Sequence, residues 1–313
     1  MNRFVSFLKK YAWILAALFC TMLWGTASST IKIGYKLFPV DTSNSFNIIL
    51  FAGIRFVGAG IITLLLTKPF TKETPALRKG MGIPIFVLAI TQTVVQYFFY
   101  YMGLVVVPAS VGAILSSTSI FFTVILVTLI FKTEQLTIKK ILATILGFIG
   151  IVVLNIDTNF KLQFHLNGEG FLILSSLMNA LASFSMSKFS QKHNPMTLTG
   201  YQFLFGGMIM VLIAIIMNGS IGVPDIRGVG IMLFLMIVAS LAYGIWAMLL
   251  KKQPTSHVVI FVSFIPIFGA FFSYLMLKEN IWNWRILVAL ALISLGTFLI
   301  NYVPKKGKHS TEN

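Results

Sequence analysis

Residues 80–131 read GMGIPIFVLAITQTVVQYFFYYMGLVVVPASVGAILSSTSIFFTVILVTLIF. These 52 residues contain no Asp, Glu, Lys, Arg or His. As one helix they would extend roughly 78 Å, against a hydrocarbon core of about 30 Å. The stretch therefore makes two spans, with the break at Gly103 to Pro108. There Gly loosens the end of one helix and Pro fits the first turn of the next. The rest of the chain has the same character: 57% of its 313 residues are hydrophobic and 10% are charged. A soluble domain carries about 25% charged residues, so a large soluble core is set aside.

Working outward, ten such spans follow from the sequence. They are Tyr11–Ile31, Ser45–Thr67, Ile83–Gly103, Val107–Phe131, Ile141–Ile156, Gly170–Ser187, Leu198–Met217, Gly228–Leu250, Ser256–Leu277 and Ile286–Val303. The first is longer than the apolar core of a cleaved signal peptide and reads as a retained helix. Cys20 is the only cysteine, which excludes a disulfide framework and a Cys-based metal site. The polar tail from Lys305 has the composition of a disordered segment.

The net charge of +16 raises the possibility of a nucleic-acid partner, but the placement of the cations argues for a membrane. With the N-terminus inside, the inner segments hold 17 Lys and Arg and the outer loops six, namely Lys32, Lys36, Lys161, Arg227, Lys278 and Arg285. That bias places both termini in the cytoplasm. The chain then divides into a cytoplasmic segment at 1–10, five spans over 11–156, an extracytoplasmic link at 157–169, five spans over 170–303 and a cytoplasmic tail at 304–313.

The two halves share a layout. Ser116 through Glu134 to Asn155 matches Val262 through Glu279 to Asn301: an apolar span, a lone Glu, a short polar turn, then a second apolar span with Gly150 or Gly296. Five spans per half is an odd number, so the halves are inverted. The expected fold is an all-α integral membrane protein of ten transmembrane helices in two inverted five-helix repeats, a frequent plan of secondary transporters.

Several residues resemble those of a known family. Trp24-Gly25 with Lys32 behind them, Arg55-Phe56, Gly103-Leu104 followed by Ala109-Ser110 and Ala113, and Pro266 with Glu279 and Gly296 are similar to motifs of the drug/metabolite transporter superfamily, EamA type. The resemblance covers about residues 13–302. Phe121 stands where the family usually has Pro, and Thr133 and Lys278 where it often has Gly. The resemblance implies export or exchange of small organic metabolites, such as amino acids, through a central cavity.

Candidate site residues follow from polar groups inside apolar spans, which need partners or water. Gln92, Gln96 and Tyr100 form one helical stripe, flanked by Thr93, Tyr97 and Tyr101. The stripe either binds a polar substrate or supplies interhelical hydrogen bonds. Tyr243 and Trp246 share a face of span 8, and the repeat sets Tyr97 against Tyr243; they suit a flat or apolar substrate portion, or plain packing. Ser117 lies in the run Ser116 to Ser119, which permits a bend or binds substrate. Pro266 frees the Val262 carbonyl, which with Ser263 coordinates substrate or marks a hinge. Trp24 and Asn179 complete the substrate-binding candidates, and His257 stands at the inner mouth of span 9. Arg55, mid-span, costs about 2.5–3.5 kcal/mol to insert and is either structural or a counter-ion to the substrate. Glu134 and Glu279 are candidate gates with Pro266, paired with nearby cations (Lys278 or Arg285 for Glu279).

No carboxylate lies mid-span, which favours facilitated transport or exchange over proton coupling. No Walker-type loop, cofactor motif or metal spacing is present in the sequence. The expected partners are a small-molecule substrate and the plasma-membrane bilayer, with spans 5 and 10 as scaffold or homodimer surface. Spans 1, 3, 4, 6, 8 and 9 would line a cavity in a non-enzymatic, alternating-access transporter. An integral-membrane enzyme acting on a lipid-linked substrate is the alternative, and it requires a carboxylate pair, His cluster or nucleophile–base set near one face.

Overall fold

The computed structural model describes residues 2–132, 135–154, 164–252 and 260–301. All regular structure among them is helical. We number ten helices: α1 Asn2–Leu37, α2 Ser45–Thr71, α3 Gly82–Val106, α4 Ala109–Ile130, α5 Ile138–Leu154, α6 Leu166–Phe189, α7 Pro195–Ile216, α8 Ile226–Lys252, α9 Ile265–Leu277 and α10 Trp284–Asn301. Seven are long and apolar enough to cross a membrane, and α9 and the apolar part of α10 are shorter. The charge-free stretch breaks at Val107 and Pro108, both in extended backbone between α3 and α4.

Helix starts follow from local chemistry. Asn44 accepts from the N–H of Phe46 ahead of α2, and Asn194 accepts from those of Met196 and Thr197 ahead of α7, where Pro195 fills the first turn. Several starts differ from the sequence reading, two of them with a local cause. α6 begins at Leu166, inside the expected polar link, because the Glu169 carboxylate turns back to the His165 N–H at 3.0 Å and lets the first turn form. Pro266 lies in the first turn of α9, after a 3-10 turn at Ile260–Phe264, not in the middle of a continuous helix. Its missing N–H is an orphan there in any case.

Packing has the symmetry of two inverted halves. α2 lies along α7, α5 along α10 and α4 against α9, each helix beside its own counterpart. The remaining large contacts come in pairs: α1 on α9 with α6 on α4, α1 on α8 with α6 on α3, and α2 on α8 with α7 on α3. The α2–α7 crossing depends on four glycines. A Cβ on Gly53 would meet Val211 and the Gly207 carbonyl, and one on Gly207 would lie 2.6 Å from the Val57 nitrogen. Gly60 and Gly200 make the same close approach one step along. Such small-residue contacts let helix backbones approach where no hydrophobic effect drives them together. The α5–α10 pair exposes Ile138, Ile145, Val152 and Leu295, an apolar face suited to lipid.

Candidate functional site

α3 is irregular where it passes the centre of the bundle. Ala89–Gln96 is π-helical, a wider turn that is frequent at functional sites. It turns both the predicted stripe and its flanking row inward: Gln92, Thr93, Gln96, Tyr97, Tyr100 and Tyr101 are all buried. Their partners then diverge. Gln92 accepts from Gln202 of α7 at 2.7 Å, and the Thr93 hydroxyl donates to the Gln202 carbonyl. Tyr100 meets Ser28 of α1 at 2.8 Å. Gln92 and Tyr100 are thus committed to neighbouring helices.

Gln96 and Tyr97 face the other half of the molecule. The Tyr97 and Tyr243 hydroxyls lie 2.7 Å apart, 146 residues apart in sequence. Gln96 lies beside Tyr243, and its Oε1 is buried without a partner. Trp24 of α1 sets its ring edge-to-face on Tyr243 at 5.2 Å and on Trp246 at 4.9 Å, and its Nε1 is likewise buried and unpartnered. The structure therefore brings Trp24, Gln96, Tyr97, Tyr243 and Trp246 together at the junction of the halves. The group combines aromatic walls with one free acceptor and one free donor. A buried polar atom left unpaired costs about 1–3 kcal/mol, so these two atoms are suited to a ligand that satisfies them.

Arg55 lies beneath this group, 2% exposed. Its Nε donates to the Leu235 carbonyl at 3.2 Å and its Nη1 to the Tyr101 hydroxyl at 2.7 Å. The guanidinium carbon stands 5.0 Å from the Phe56 ring centre, 5.8 Å from Tyr97 and 5.9 Å from Tyr101. The Tyr35 hydroxyl donates to the Tyr101 carbonyl and extends the network to α1. Among the described residues no carboxylate pairs with Arg55; aromatic faces and two oxygens disperse its charge.

The other candidates lie elsewhere. Ser117 is buried and donates to the Ile114 carbonyl of its own helix, as Ser116 does to Ala113 and Thr118 to Leu115. These bonds sit where α4 breaks between Ser116 and Ser119. Asn179 is half-buried on α6. Pro266 is buried at the start of α9. Glu134, His257 and the Ser263 side chain lie outside the described residues.

Glu279 corrects an expectation. Its carboxylate does not turn to Lys278 or along the loop. It accepts from the N–H groups of Ala109 and Ser110 at 2.8 and 3.1 Å, from the Ser110 hydroxyl at 3.0 Å and from the Ser273 hydroxyl, and it stands 3.9 Å from Lys32 Nζ. It thus ties the end of α9 to the N-terminus of α4 and to α1. Lys278, at φ 57°, makes the left-handed turn that sends the side chain inward. Burial pushes the carboxyl up, but the Ser273 hydroxyl and the α4 N–H groups outweigh it and hold Glu279 below the ordinary carboxylate value. Sequence reasoning missed Lys32 and Ser110 as its partners, because their proximity comes from the α1–α4–α9 packing. Below this clamp the same three helices touch through Gly25 and Gly269, where a Cβ would meet Phe268 or Ala113 at 2.5 and 2.1 Å.

The profile described as "EamA-like transporter family" matches residues 11–156 and again 166–302. An uncharacterized transporter of Archaeoglobus fulgidus is 25% identical over 92% of this chain and 98% of its own length. An uncharacterized transporter of Synechocystis sp. is 27% identical over 89% of this chain and 86% of its own. A chloroplastic WAT1-related protein of Arabidopsis thaliana is 23% identical over 89% of this chain and 67% of its own. One solved crystal structure shares the fold with a TM-score of 0.65, covering 92% of this chain and 96% of that one at 15% identity.

Proposed function

The chain belongs to the EamA-like transporter family and is a membrane transporter; from that premise we propose that it moves small organic metabolites, amino-acid-like or related, by alternating access. The direction proposed is export, by facilitated movement or exchange across the plasma membrane, with both termini cytoplasmic. The cation asymmetry between inner and outer loops supports the orientation.

One observation carries the reading. Tyr97 and Tyr243, counterparts in the two halves, bond to each other beside unpartnered Trp24 Nε1 and Gln96 Oε1. A substrate with a flat apolar portion and a polar group satisfies both atoms while separating the tyrosine pair. The halves then rock about it. The Glu279 clamp closes the face it occupies, which in the proposed orientation is the outer one, and the broken α4 and the 3-10 start of α9 supply the flexible points. No step of this cycle calls for bond-making chemistry, so the reading is non-enzymatic.

Purified protein in detergent tests it. Thermal shift is read against amino acids, nucleosides, organic cations and sugar phosphates, first with wild type and then with Gln96→Ala. The expected result is one class that stabilises wild type and loses its effect in the variant. Equal stabilisation of both would place binding elsewhere and leave the α3 residues as helix packing.

A further inference from the structure

The end of α1 carries a cavity that transport through the aromatic group does not use. It has a volume of about 400 Å³ and lies between α1, the loop after it and the end of α3. Lys32, Tyr35, Lys36, Thr42, Leu104 and Val105 line it. The volume falls in the range of small-molecule sites, about 300–1,000 Å³. Two of its lining residues are lysines and none is acidic.

The neighbouring acids are already engaged. Asp41 accepts from the Ser43 N–H and hydroxyl at 3.0 and 2.7 Å, which hold its carboxyl below the ordinary value. Asp225 pairs with Arg227 at 3.2 Å, and Glu169 with His165. Glu279 reaches Lys32 only at 3.9 Å, its four closer bonds being to Ala109, Ser110 and Ser273. Among the described residues Lys36 has no acidic partner. Of the two cations, Lys36 is therefore free among the described residues and Lys32 is shared with Glu279.

We propose that this cavity is an anion-binding vestibule that takes a carboxylate or phosphate group of a soluble metabolite, and that an anion held there draws Lys32 away from Glu279. Lys36 supplies the free charge and Lys32 the shared one. The Tyr35 ring and Leu104 shape the apolar wall, and Thr42 offers a hydroxyl. Loss of Lys32 weakens the clamp on α4 and α9, so arrival of the anion and release of that face are linked. The proposal rests on the transport reading for its role in a cycle, but its binding event is measured separately.

Titrations at constant ionic strength in neutral detergent test it. The probes are glutamate against glutamine, glycerol 3-phosphate against glycerol, and short-chain phosphatidylglycerol against phosphatidylcholine. A soluble anion is expected to raise the melting temperature where its neutral counterpart does not. Lys36→Ala, at an exposed position that leaves Glu279 untouched, is expected to weaken that binding about tenfold, the factor for roughly 1.4 kcal/mol. Glu279→Gln is expected to tighten it several-fold, because Lys32 is freed. Gln96→Ala is expected to leave the difference between each anion and its neutral counterpart unchanged, whatever it does to binding common to both. No discrimination between anion and neutral partner overturns the proposal, as does an effect of phosphatidylglycerol alone, which would make this a lipid headgroup site. Loss of anion binding in Gln96→Ala with none in Lys36→Ala would move the anion to the aromatic group, overturning the vestibule and leaving the transport reading in place.

Discussion

At the residue scale, two charged side chains decide most of the electrostatics. Arg55 is a cation buried without an anion among the described residues, held by Tyr101, the Leu235 carbonyl and three ring faces. Arg55→Ala strands that hydroxyl and carbonyl and is expected to cost about 2–3 kcal/mol, read as a lower melting temperature in detergent. Tyr101→Phe removes one of the two bonds and is expected to cost about half as much. Glu279 is the opposite case, an anion held below its ordinary value by hydroxyl and N–H donors. Because its folded pKa is depressed, its stabilisation is present above the unfolded carboxylate value and is lost as pH falls through the folded value. Melting temperatures of wild type and Glu279→Gln are therefore expected to converge at acidic pH and to separate near neutrality. A constant difference at every pH would show that the charge is not what holds α4, α9 and α1 together.

At the element scale, the ten spans were legible because charge, Arg55 apart, is excluded from them and Pro, Gly and Asn punctuate them. Pro108, Asn44 and Asn194 each stand at a helix start. What sequence could not supply was the register. The π-helical turn from Ala89 to Gln96 places two adjacent rows of α3 inside the bundle, whereas regular helical spacing expects one stripe. Hence Gln92 and Tyr100, equal to Gln96 in the sequence pattern, are bound to Gln202 and Ser28, while Gln96 Oε1 is buried without a partner. The carboxylate at Glu279 was legible as a possible gate, but its partners were not, since Lys32 and Ser110 come from distant helices. The glycines give a direct check on element packing. Gly207→Val drives a side chain into the α2 backbone and is expected to cost at least about 1–3 kcal/mol and reduce the yield of folded protein. Gly230→Ala, at an exposed position of α8 where a Cβ meets nothing within 4 Å, is expected to gain about 0.5–1 kcal/mol. Similar losses in both would contradict the close crossing of α2 and α7.

At the scale of the whole molecule, the two halves repeat one plan in opposite sense, and the aromatic group forms where they meet. Tyr97 and Tyr243 mark that junction, and Trp24 and Gln96 supply its unpartnered donor and acceptor. Clamp and junction share α1: Glu279 joins α1, α4 and α9 at one face, Gly25, Ala113 and Gly269 pack those three helices closely below it, and Trp24 of α1 belongs to the junction. A link between Cys residues at Ser110 and Ser273 is therefore expected to hold that face shut and to stop transport until it is reduced, with Cys20→Ser as background. The most direct test of alternating access at the junction is solute counterflow in proteoliposomes, using the ligand class that stabilises the purified protein. Wild type is predicted to concentrate labelled ligand transiently against its unlabelled form, and Trp24→Ala and Gln96→Ala are predicted to lose that overshoot while remaining folded. Counterflow of equal size in those variants, or none in wild type with a ligand it binds, would contradict the account.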